Sequence, residues 1–161
     1  MASKGQLTGM AGVYLVAAEL SRRGFIVSPT SRSAHGADLL TTDLLARRTY
    51  AIEVKTNART FGFWLLGAKA KEMKSDTLIY ALVNLRRDGT TEYFLVPSRV
   101  VARHVKVSLP TKTRKATWYS IHMPSVAKYR GDWGVFEGRG LTSRSTRTRN
   151  KWAPVRSSRA G

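Results

Sequence analysis

"GADLLTTDLLARRTYAIEVKT", residues 36–56, is the stretch that decides how this chain is read. Its second half alternates as a half-buried strand does. Tyr50, Ile52 and Val54 fall on one face, and Thr49, Ala51, Glu53 and Lys55 on the other. A solvated outer face would account for Glu53 and Lys55 taken alone. Asp38 changes that reading. "ADLLTTD" is a second candidate strand, joined to the first by "LLAR". If the two form a hairpin in which Asp43 pairs with Arg48, Asp38 lies opposite Glu53 on the same face. Their Cβ atoms would then be about 4.5–5.5 Å apart. Facing like charges weaken a sheet, so a purely structural hairpin avoids them. A divalent cation accounts for them, because Mg²⁺ is held by one or two carboxylates and keeps several waters. The connection contains no Gly, Asn or Pro, so no turn residue pins the register.

Upstream, residues 1–8 read as a frayed lead, with Thr8 a candidate N-cap. Met10, Val13, Tyr14, Ala17 and Leu20 follow at helical spacing, and Gly24 ends the helix. Glu19 is the one acid on that helix and borders its apolar stripe. It is either an ordinary helix-edge Glu beside Arg22 and Arg23 or a third acid of the set. "FIV" at 25–27 is a short strand, and 28–36 is a loop of turn formers.

Downstream, residues 66–75 fit a helix whose basic face carries Lys69, Lys71 and Lys74. Residues 76–85 are the strongest strand candidate. The Asp88-Gly89 turn returns the chain as a strand at 90–96. Pro97 and Ser98 open a short helix. A late strand or arm follows at 115–123, then a short helix and an aromatic anchor ending at Phe136. Phe61, Phe63 and Trp64 suit core packing better than base stacking. His35, His104 and His122 lack metal-ligand spacing.

The chain of 161 residues carries 28 Lys and Arg against 10 Asp and Glu, a net charge of +18. Such an excess repels itself, and its usual partner is a polyanion, with nucleic acid first. Without cysteine, disulfides, thiol catalysis and thiolate zinc sites are excluded. No apolar run is long enough to span a bilayer and no signal peptide is evident, so a cytoplasmic protein is the default expectation. After Glu137 the composition turns polar and basic, with seven Lys and Arg and no acid. Residues 1–137 are therefore expected to form the domain and 138–161 a basic disordered tail. Without the tail the charge is still +11.

The order of a Glu-bearing helix, a "GF-V" strand, "GAD" and "IEVK" resembles the PD-(D/E)XK nuclease superfamily, closest in appearance to small archaeal Holliday-junction resolvases. The resemblance covers roughly Gly9 to Val96, with Ala37 where the superfamily's name has Pro. It implies an α/β restriction-endonuclease-like core, a mixed sheet flanked by helices in α-β-β-β-α-β order. Asp38 and Glu53 would bind Mg²⁺, or Mn²⁺ in its place, with the Val54 carbonyl as a further ligand. Lys55 would position or deprotonate the attacking water, and Glu19 would support the site or a second metal. Arg22, Arg23, Lys69, Lys71 and Lys74 would track a nucleic-acid backbone. Ser31, Arg32 and Ser33 occupy the loop where resolvases often carry a functional serine. The function implied is Mg²⁺-dependent hydrolysis of DNA phosphodiesters, structure-selective and connected with recombination or repair. A restriction-like or homing-type endonuclease is the runner-up. A non-catalytic nucleic-acid-binding module of the same fold is the rival from another class. A homodimer is compatible with either.

Overall fold

The computed structural model describes residues 2–31 and 36–137. Arg32, Ser33, His35 and the whole 138–161 tail lie outside the described residues. The fold opens with α1 (Lys4–Arg22), followed by β1 (Phe25–Pro29), β2 (Leu39–Asp43) and β3 (Thr49–Asn57). A short strand β4 (Phe63–Leu66) and a 3-10 turn (Ala68–Lys71) lead to the hairpin β5 (Leu78–Leu85) and β6 (Thr91–Pro97). After α2 (Ser98–His104) come β7 (Lys106–Ser108) and β8 (Trp118–His122). The chain closes with α3 (Met123–Val126) and two 3-10 turns, Ala127–Tyr129 and Trp133–Glu137.

Five strands form the main sheet in the order β1-β2-β3-β5-β6. β3 and β5 run parallel and the other pairs antiparallel, so the sheet is mixed as expected. A parallel pair needs a long crossover. Here β4 and the 3-10 turn supply it in place of the helix expected over 66–75. Within that turn only Ala70 is buried, and Gly67 caps it without a side-chain hydrogen bond. A basic segment with so little apolar surface has no face on which to seat a full helix.

The sheet has two covered faces. On one, Tyr50, Ile52, Val54, Ile79, Ala81, Val83 and Leu95 pack with Val16 and Leu20 of α1. On the other, Leu78, Tyr80, Leu82, Phe94 and Val96 pack with Trp64, Val101 and Ile121. These last three belong to the crossover, to α2 and to a second, three-stranded sheet, β4-β8-β7.

α1 begins earlier than Thr8. Ser3 and Gln6 form a capping box, with Ser3 Oγ accepting from the Gln6 N–H at 3.2 Å and Gln6 Oε1 from the Ser3 N–H at 2.7 Å. Its buried stripe also differs from the expected one, running through Gly12, Val16 and Leu20, with Tyr14 58% exposed. Gly12 sets this rotation. A Cβ on it would collide with Thr56 Oγ1 and lie 3.0 Å from Thr56 Cβ and Cγ2. Gly12→Ala is therefore expected to destabilise the protein by about 1–3 kcal/mol through overpacking. Urea unfolding should show it, and Gly12→Ala combined with Thr56→Ala should recover part of the loss. A neutral Gly12→Ala would mean that α1 does not sit this close to β3.

The turn between β2 and β3 works without glycine. Asp43 Oδ1 accepts from the Leu45 and Arg47 N–H groups at 3.1 and 2.9 Å, and Ala46 takes the left-handed conformation at φ 52°. The Asp88-Gly89 turn forms as expected, with Gly89 at φ 84°.

Candidate active site

The β2–β3 register places Leu39 opposite Ile52, Leu40 opposite Ala51, Thr41 opposite Tyr50 and Thr42 opposite Thr49. The ladder ends there: Asp38, the residue before Leu39, bonds Ile52, the partner of Leu39, and not Glu53. The Asp38 N–H donates to the Ile52 carbonyl at 2.8 Å, and Asp38 Oδ2 accepts from the Val54 N–H at 2.7 Å. The ladder with β1 continues to Asp38, since the Thr30 N–H donates to the Asp38 carbonyl at 3.0 Å. Thr30 Oγ1 donates to the Ala37 carbonyl at 2.6 Å. Asp38 is thus fixed from both neighbouring strands, at the place where β2 begins and β3 runs on without it.

Glu53 and Lys55 share the second face of β3, and Lys55 Nζ lies 2.6 Å from Glu53 Oε1. Both side chains are partly buried, 20% exposed for Glu53 and 29% for Lys55. Tyr80 is the register partner of Glu53 on β5. Burial, reinforced by the negative charge of Glu53, pushes the Tyr80 hydroxyl up to about 12, so it forms a neutral wall beside the carboxylate.

Among the described residues, Asp38 commits one carboxylate oxygen to the Val54 N–H and Glu53 one to Lys55. In an antiparallel ladder the N–H and C=O of a residue point to the same side. The Val54 carbonyl is therefore directed past the start of β2, as its N–H is. Carboxylate and carbonyl oxygens are hard donors, which suit Mg²⁺ or Mn²⁺ and not zinc or copper. Among the described residues no group of three or more His, Cys, Asp or Glu gathers.

Glu19 does not join this set, and the support expected from it is corrected. Gln6, Met10 and Tyr14 of α1 line a cleft of about 300 Å³ with Thr30, Asp38 and Val54. Glu19 lies five residues beyond Tyr14, about 7–8 Å further along the helix axis. There it pairs with Arg22 at 3.2 Å and with Arg23. The ordinary helix-edge role prevails because both arginines fall one turn away on its own face. Arg22 and Arg23 are equally remote from Asp38, and Arg23 stacks over the Trp133 ring at 4.2 Å.

Lys69, Lys71 and Lys74 are exposed on the crossover. Met73 among them reaches Gly36, two residues before Asp38: a Cβ on Gly36 would lie 3.1 Å from Met73 Cε. These lysines therefore border the loop that leads into the site. Ser31 lines the same cleft as Asp38. Gln6 and Tyr14 were missed as cleft residues. The Ser3–Gln6 capping pattern would have brought the first turn of α1 into view.

A five-stranded mixed sheet with α1 across one face and a second small sheet across the other is a restriction-endonuclease-like α/β core. The bacterial homing endonuclease I-Ssp6803I has a similar structure, with a TM-score of 0.55 and 16% identity over 87% of this chain and 95% of that one. A Holliday junction resolvase from the archaeal hyperthermophile Archaeoglobus fulgidus matches at a TM-score of 0.47 and 14% identity, over 74% of this chain and 88% of that one. No family model and no curated protein matches the chain. Among the described residues, no helix is long and apolar enough to cross a membrane.

Proposed function

We propose that this protein is a Mg²⁺-dependent endonuclease that hydrolyses DNA phosphodiester bonds, with branched DNA as its first substrate class. The observation that supports the reading is the hydrogen bond that ties Asp38 to Val54, the residue between the paired Glu53 and Lys55. Asp38 and Glu53 would hold the cation, with the Val54 carbonyl beside them. Bound there, the cation would supply a water made nucleophilic near neutral pH and positive charge against the scissile phosphate.

The chain's own residues supply the rest. Lys55 lies beside the Glu53 carboxylate, where its ammonium can orient a water and offset phosphate charge. The Val54 N–H holds Asp38 in one orientation, which lowers the cost of organising the site. Lys69, Lys71 and Lys74 offer a path for the phosphate backbone beside the site. The overall charge of +18 supplies affinity without sequence preference.

The test is cleavage of a four-way junction, a continuous duplex and a single strand, each with and without Mg²⁺. The reading expects Mg²⁺-dependent cuts, strongest on the junction. Binding to all three without any cleavage in Mg²⁺ or Mn²⁺ would leave a non-catalytic nucleic-acid-binding module.

A further inference from the structure

The small sheet β4-β8-β7 has one buried and one open face. Trp64, Leu66, Tyr119 and Ile121 point into the structure. Phe63 pairs with His122 and Leu65 with Ser120 across the ladder, so these residues and Trp118 share the opposite face. Lys106, opposite Ser120, lies on it too. Phe63 and His122 stack at 5.7 Å between ring centroids. Leu65 is 46% exposed and Trp118 41%.

This open face runs into the candidate active site. Lys55, Asn57, Phe63, Leu65 and Trp118 line a cleft of about 290 Å³. Asn57 braces its wall by donating from Nδ2 to the Phe63 carbonyl. Arg114 sits over the Trp118 ring, 4.7 Å from its centroid, and holds the ring in place.

The charge around this face has one sign. From Tyr93 to Gly131 there are eight Lys and Arg and no Asp or Glu. That stretch contains β7, β8 and their connection. No acid occurs between Glu53 and Glu72 either, the stretch that contains β4. A sheet face with an exposed Trp118 ring and half-buried Phe63 and His122 rings, built from basic segments without acids, suits bases attached to a phosphate chain. An acidic peptide would satisfy the charges but would leave the ring faces and the cleft without a planar partner.

We propose that the open face of β4-β8-β7 binds unpaired nucleotides, stacking a base on Trp118 at the mouth of the cleft that leads to Lys55. The inference rests on the nucleic-acid part of the proposed function and adds what the site selects. A base within a continuous duplex is already stacked on both sides and cannot reach the ring. A base at a branch, gap or frayed end can, and aromatic stacking of this kind tolerates any sequence. Selection of unpaired DNA would then come from the small sheet, and cutting from the Asp38–Glu53 site.

The experiment uses the full chain in chelator, so that binding is read without cleavage. Its probes are a duplex with a single-stranded gap, carrying 2-aminopurine in the gap, and the matching continuous duplex. The parent protein should bind the gapped DNA more tightly and quench the 2-aminopurine. Trp118→Ala should weaken gapped binding by about tenfold and remove the quenching, with duplex binding unchanged. Trp118→Phe should restore most of both. An unaltered melting temperature for Trp118→Ala excludes unfolding as the cause. Equal binding of the two DNAs by the parent, or an equal loss on both in Trp118→Ala, overturns the inference and leaves the nuclease reading standing. Failure to bind either DNA overturns both. Mg²⁺-dependent cleavage of the duplex, assayed separately, reports on the nuclease reading alone.

Discussion

Asp38→Asn and Glu53→Gln are each expected to lower the proposed Mg²⁺-dependent DNA cleavage by about a hundredfold or more, with DNA binding in chelator changed by no more than about twofold. The separation follows from the geometry. An Asn at 38 has an oxygen that can accept the same Val54 N–H, so the backbone stays in place without the charge. Gln at 53 loses the ion pair with Lys55, a partly exposed contact of small energetic weight. Neither residue contributes positive charge, so the affinity supplied by the basic surface remains. Gel shift and cleavage assays on the same DNA decide the matter. Binding that falls in step with cleavage in a folded variant would show that the two acids do not divide the work this way. Cleavage that survives both substitutions would place the chemistry elsewhere in the chain.

Phe136→Ala is expected to cost about 3–5 kcal/mol of stability, the range for emptying a large aromatic site in a core. Phe136 is 3% exposed and meets the rings of Phe25, Tyr50 and Trp133 at 5.8, 5.3 and 6.4 Å. It therefore clamps β1 and β3 from the end of the described chain. The clamp is anchored at its base, where the Gly131 N–H donates to the Tyr93 carbonyl at 2.8 Å and Arg130 pairs with Glu92 at 2.7 Å. Burial pushes the Glu92 carboxyl up. Hydrogen bonds from Asn84 and Arg86 and the charges of Arg130 and Arg86 outweigh it and hold the group below its usual range. A chain ended after Glu137 should keep its melting temperature within a few degrees, whereas one ended after Asp132 should lose as much stability as Phe136→Ala. Thermal and urea unfolding of the three proteins give the comparison. If removal of 138–161 is as damaging as removal of Phe136, the domain does not end at 137.

Much of the sheet was legible because its signals are local. Tyr50, Ile52 and Val54 alternate cleanly, Asp88-Gly89 marks a hairpin, and the apolar run from Leu78 declares a central strand. The β2–β3 register from Leu39 to Thr42 was legible too, since the pairing expected for Asp43 and Arg48 gives the same offset.

Other features were hidden because they depend on neighbours distant in sequence. Glu19 reads as a site residue only while the position of α1 along the sheet is unknown. The close approach of Gly12 to Thr56 fixes that position, and nothing local to the helix announces it. Residues 66–75 have helical composition, but they close a crossover over a surface that another sheet already covers. Their role shrinks to a 3-10 turn with Ala70 inserted. Trp118 and Phe63 lie far apart in the chain, and only the β4–β8 pairing brings them to one open face beside Lys55.

The sequence by itself determined the strand pattern and the basic charge, because the one is written in alternation and the other in composition. Only the tertiary structure decided which face of α1 meets the sheet, that Glu19 belongs with Arg22 and Arg23, and that an aromatic face lies beside Lys55. Those outcomes depend on steric fit and strand partners between segments far apart in the chain, and a periodicity of two or 3.6 residues carries no record of either.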